Sequence, residues 1–183
     1  MPAMAELIVI ALRLVVPTAI LRWPLAGGIV AMVLDAFDVV LVDFFAGLLG
    51  EPLGFGTVYP KLDKWLDTYY LTLELIVSRR WTEEIPRRAV AILYAWRVIG
   101  VLAFEATGIR PLLLVFPNLF ENVFLYILVV RRWFPRLMPR TNGQMVLVSA
   151  ILLIPKELQE YVLHYAQIHP YQLLRELLGL GGP

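Results

Sequence analysis

The sequence has no cysteine among its 183 residues and only two histidines. Disulfides, thiolate metal sites and cysteine nucleophiles are therefore excluded. Charge is scarce too: Asp, Glu, Lys and Arg make up 17% of the chain, and the formal net charge is +1. That balance gives no sign of a nucleic-acid partner, and none is expected. Also missing are a phosphate-cradling glycine loop, a nucleophile elbow and a metalloprotease helix motif. The first residues lack a basic leader and a small-residue cleavage site, so the first apolar run is expected to be a retained helix.

What is abundant is apolar surface. Hydrophobic residues make up 60% of the chain and the mean hydropathy is +0.73, against roughly 45–50% apolar residues in soluble chains. The apolar residues gather in runs of about 20, enough to cross a hydrocarbon core of roughly 30 Å at 1.5 Å per residue. Six spans are expected, near 6–21, 25–49, 61–80, 88–107, 112–130 and 144–166. Helices alone satisfy the backbone over such lengths. The expectation is one all-α, polytopic membrane domain over 1–183, about six transmembrane helices in a single bundle. An amphipathic tail over about 168–183 is expected to lie at the interface.

Arginine sets the expected orientation. Arg22, Arg79, Arg80, Arg87, Arg88, Arg131, Arg132, Arg136 and Arg140 fall on one side of a six-span path. That side is expected to be cytoplasmic in the cell membrane, with both termini outside. Trp23, Trp81 and Trp133 lie beside arginines and are expected to form the interfacial aromatic belt.

The stretch LDAFDVVLVD places Asp35, Asp38 and Asp43 inside an apolar run. Carboxylates at bilayer depth are costly and mark functional sites. Asp35 and Asp38 are three apart, and Asp63 and Asp67 in the next span are four apart, so each pair shares a helix face. Asp43 is rotated away from the first pair. Glu157, Glu160 and His164 repeat at three and four on the sixth span, Glu105 closes the fourth, and Glu121 lies mid-depth in the fifth. Acidic faces at one end of a bundle suggest a shared polar cavity. Such carboxylates do not all ionise without compensation. A hard divalent cation, bound protons, or buried ion pairs with Arg13 and Arg97 would each supply it. For Asp63, Asp67 and Glu105, facing water at the headgroup level is the alternative.

Asp35-Ala-Phe-Asp38 followed by Leu62-Asp63-Lys-Trp-Leu-Asp67 resembles the CDP-alcohol phosphatidyltransferases, and Leu12 to Pro17 is similar to the Arg-then-Pro pattern of their first helix. The sequence departs from the family at Val39, Val42, Asp43 and Tyr59, where the pattern has Gly, Ala, Arg and Gly. The resemblance implies that Asp35, Asp38, Asp63 and Asp67 hold divalent metal, Mg²⁺ or Mn²⁺, with Asp67 also the catalytic base. It implies a substrate of lipid-phosphate chemistry, with Arg13 and Arg97 as phosphate contacts. Two other functions use the same acids: a proton or divalent-cation transporter or channel, and a non-catalytic accessory subunit whose acids pair with arginine. Expected partners are membrane lipid and, in assembly, a second copy or a larger membrane complex.

Overall fold

Proline and glycine decide where the helices stop. The computed structural model describes residues 3–52, 59–109 and 111–160. Helix α1 (Met4–Val15) tightens into a 3-10 segment (Val16–Leu21) at Pro17, which has no N–H to continue the α ladder. Helix α2 (Pro24–Ala36) begins on a proline, whose missing donor costs nothing at a helix start. Helix α3 (Asp38–Leu49) ends at Gly50, which takes the left-handed conformation (φ 68°) that closes a helix without a Cβ clash. Next come α4 (Tyr59–Ser78) and α5 (Glu84–Thr107). A single turn, α6 (Leu112–Val115), precedes α7 (Leu119–Trp133) and α8 (Asn142–Glu160). No strand occurs among the described residues.

Helix α4 is central and packs on α1, α2, α5 and α7, while α7 packs on α2, α4, α5 and α8. The main core lies between them: Tyr70, Leu71 and Val77 of α4 meet Phe120, Val123, Phe124 and Ile127 of α7. A smaller seam of Ala5, Val9, Val42 and Ala46 joins α1 to α3. The outside is apolar, with Leu48, Ile92, Ile99, Val146 and Ile154 all exposed. The inside holds ionisable side chains: Glu6, Arg13, Asp38, Asp67, Glu74, Arg97, Glu121 and Lys156 are buried. This inversion is what lipid, as solvent, favours.

Two helical stretches are long and apolar enough to cross a membrane, Met4–Leu21 and Glu84–Thr107. The pair α2 and α3 makes a third if taken as one span. Within the second span expected over 25–49, the chain bends by 66° between Ala36 and Asp38. The fifth also starts later than expected, because Pro117 separates α6 from α7. Helix α4 reaches 20 residues but carries Asp63, Lys64, Asp67 and Glu74, and α7 has only 15. Trp81 departs from the expected belt. It is buried and stacked on Phe124 at 5.5 Å, with the Arg131 guanidinium 4.9 Å from its ring centre. Trp23 and Trp133 are exposed.

Candidate metal centre

The bend in the second apolar stretch builds the site. Phe37 leaves helical geometry (φ −112°, ψ 11°), so Asp35 lies at the end of α2 and Asp38 starts α3. A carboxylate in the first turn of a helix faces the positive end of its dipole. Asp38 uses that position: its Oδ1 accepts the N–H of Val39 at 2.6 Å. Asp63 and Asp67 arrive from α4, one turn apart. Tyr69 ties α4 to α1 by donating its hydroxyl to the Leu14 carbonyl at 3.0 Å.

All four aspartates meet at Arg13, in the last turn of α1. Its Nη1 donates to Asp38 and to Asp63, each at 2.6 Å. Its Nη2 donates to Asp67 at 2.5 Å and also to Asp35. The Arg13 side chain is only 3% exposed. Lys64 adds a second cation, 3.0 Å from Asp63 and 3.7 Å from Asp67. Carboxylate oxygens of Asp35, Asp63 and Asp67 lie within 4.8 Å of one another, so these three residues have the spacing to hold a metal ion. Oxygen donors of this kind suit a hard cation. Among the described residues, the ion pairs set four carboxylates against two cations.

The other expected site residues lie elsewhere. Arg97 is buried and donates from Nη1 to the Phe116 carbonyl at 3.0 Å, while its Nε has no hydrogen-bond partner among the described residues. Glu121 is buried on α7 and accepts from the Tyr70 hydroxyl at 2.9 Å and from Asn118 Nδ2 at 3.1 Å. Glu105 is exposed near the end of α5. Glu157 is half-buried beside an apolar groove of about 310 Å³ lined by Trp96, Leu119 and Leu153. His164 and the side chain of Glu160 lie outside the described residues. Asp43 is half-buried on α3, five residues after Asp38 and so roughly 140° around the helix from it.

Sequence reading missed Glu74 and Tyr70, both fully or nearly fully buried. The signal was present on α4. Asp63, Asp67, Tyr70, Glu74 and Ser78 follow at steps of four, three, four and four, one continuous polar face. A cavity of about 590 Å³ lies away from the aspartates, against Glu83, Pro86, Arg131 and Arg140. There Arg131 donates to Glu83 at 2.5 Å. Partial burial pushes the Glu83 carboxyl up, but its own backbone N–H, the Arg131 guanidinium and the Thr82 hydroxyl outweigh this and hold it below its ordinary value of 4.5.

No protein-family model, curated protein or solved structure matches the chain. The functional reading therefore rests on the residues and their arrangement.

Proposed function

We propose that this chain is a membrane-embedded, divalent-cation-dependent protein acting on a phosphate-bearing lipid, with Asp35, Asp38, Asp63 and Asp67 as its cation-holding residues. The observation that carries the reading is the convergence of carboxylate oxygens from α2 and α4, three of them within 4.8 Å of one another. Asp35 on α2 and Asp63 and Asp67 on α4 are far apart in sequence yet reach one point. A bound Mg²⁺ or Mn²⁺ would supply charge stabilisation to a phosphate oxygen during displacement. The chain's own residues do the rest. The aspartates fix the centre, and Arg13 beside them carries a planar fork of the kind that matches phosphate. Arg97 is a second such group. Asp67, buried beside Lys64, takes the place of the base that the phosphatidyltransferase resemblance implies. In the six-span orientation, with arginine-rich loops cytoplasmic, this centre opens on the opposite side of the membrane.

The experiment is titration of the purified protein with Mn²⁺ alone, followed by the same titration of Asp35→Asn. Saturable binding that disappears in the variant supports the reading. Binding that survives the substitution unchanged, or never occurs, overturns it. The second reading is a structural role, in which Arg13 serves as the permanent counterion of the four aspartates, as its bonds to all of them suggest. It expects no cation binding and a loss of folding on removing Arg13.

A further inference from the structure

A second acid centre lies deeper along α4, and it differs from the first in having almost nothing to neutralise it. Glu74 is 0% exposed, and among the described residues neither of its carboxylate oxygens has a hydrogen-bond partner. Its side chain lies against α2 at Gly28, where an added Cβ would come within 3.0 Å of Oε1 and of Leu125. Gly28 brings no charge to it, and from α7 the group that bears on it is Glu121, of like sign. Glu121 is better served. It accepts from Tyr70 and Asn118, and the cations Lys156 on α8 and Arg97 on α5 favour its charge against the like charge of Asp67 on α4. A carboxylate ion without donor or cation in an apolar interior is far costlier than the neutral acid.

We propose that Glu74 is a proton-binding site beside Glu121, and that its occupancy is linked to the charge held by the aspartate cluster. Tyr70 joins the two regions, one turn beyond Asp67 on α4 and bonded to Glu121. Glu74 sits roughly 10 Å from Asp67 along the helix, at 1.5 Å per residue. Ser78, buried one turn further on, continues the face toward the arginines that end α4. Positive charge arriving beside Asp67 makes the potential at Glu121 and Glu74 less negative, which favours the ionised acid. Glu74 then gives its proton to water, leaving a carboxylate; no other bond changes. The linkage rests on the cation reading above, whereas the proton site does not.

Two measurements on the full chain in lipid nanodiscs test this. Infrared difference spectra should show a protonated-carboxyl band at neutral pH that is lost in Glu74→Gln and kept in Asp35→Asn and Glu121→Gln. A band that survives Glu74→Gln, or no such band at all, overturns the proton site. If Glu74→Gln does not accumulate, Glu74→Asp moves the acid without deleting it and must shift the band; an unshifted band again overturns the site. In weakly buffered solution, Mn²⁺ should release roughly one proton per bound ion from the wild type and none from Glu74→Gln. Equal release from both overturns the linkage. Failure of Mn²⁺ to bind removes both linkage and cation reading, while the infrared band still decides the proton site.

Discussion

The two acidic regions of this protein share one helix and solve the same electrostatic problem differently. Around Arg13, four aspartates from three helices crowd onto one guanidinium, with Lys64 alongside. Around Glu74, two carboxyls lie among aromatic and aliphatic side chains, one hydrogen-bonded and the other without a partner. Near a bend, backbone ends and polar groups from several helices meet, so ionised carboxylates are tolerated. Where Glu74 lies against Gly28 of α2, no donor arrives among the described residues, and its carboxyl persists there only by staying neutral. Charge compensation thus comes from cations at one end of α4 and from a proton further along it.

The comparison breaks most sharply at Arg13. Arg13→Gln leaves four carboxylates facing one another and should cost about 3–5 kcal/mol, as removing one partner of a buried ion pair does. Unfolding in detergent would measure it, and added Mn²⁺ should restore part of the loss. No rescue would favour the purely structural role for Arg13.

Next comes Asp35→Asn, which should alter stability little without metal, because it relieves repulsion while removing a bond to Arg13. Its effect appears with cation present. At 100 times its Kd a bound ion stabilises the wild type by about 2.7 kcal/mol, and the variant should show none of that rise in Tm. A cation-dependent rise equal to that of the wild type would remove Asp35 from the site.

The framework that both regions share is tested at Gly27. A Cβ there would lie 2.5 Å from the Ile20 backbone nitrogen, and backbone cannot swing aside. Gly27→Ala should cost about 1–3 kcal/mol by overpacking. It should also weaken Mn²⁺ binding, since α2 carries Asp35. A stability loss with unchanged binding would show that the aspartate region tolerates a shifted α2.

The smallest effect is expected outside both regions, at the half-exposed Glu83–Arg131 pair. Glu83→Gln should cost at most about 1 kcal/mol, the usual range for exposed pairs. Because the folded carboxyl lies below its ordinary value, this contribution is present above about pH 4.5 and lost as the pH falls through the folded value. Wild type and variant should therefore differ in Tm at neutral pH and converge in acid. A difference that persists there would point to packing instead of charge.

Most helices were legible because their signals are local. Apolar runs placed the start of α2 and the ends of α3 and α5 closely, whereas α5 begins four residues before the expected 88. The bend at Phe37 was not legible, since nothing in Leu34 to Asp43 is a proline or glycine. The aspartate pairs were visible from their spacing. Their common partner was not, because Arg13 reaches them from a helix whose crossing angle no spacing rule gives. Glu74 was passed over although it continues the polar face of α4, since a single acid in an apolar segment has no local partner to mark it. Trp81 was placed by its neighbouring arginines, yet packing on Phe124 took it inside.

The sequence by itself determined the material: apolar helices, a chain without thiols, and acids at helical spacing along the second and third apolar stretches. Those properties follow from composition and from the 3.6-residue period, which act within one segment. Tertiary structure alone decided which acids meet a cation and which does not. That depends on the bend between α2 and α3, on where α1 crosses them, and on the close seat of α2 against α4 at Gly28. Hydrogen bonds and ion pairs form only at contact distance, so the fate of each carboxyl is set largely by neighbours in space, and these come from other helices.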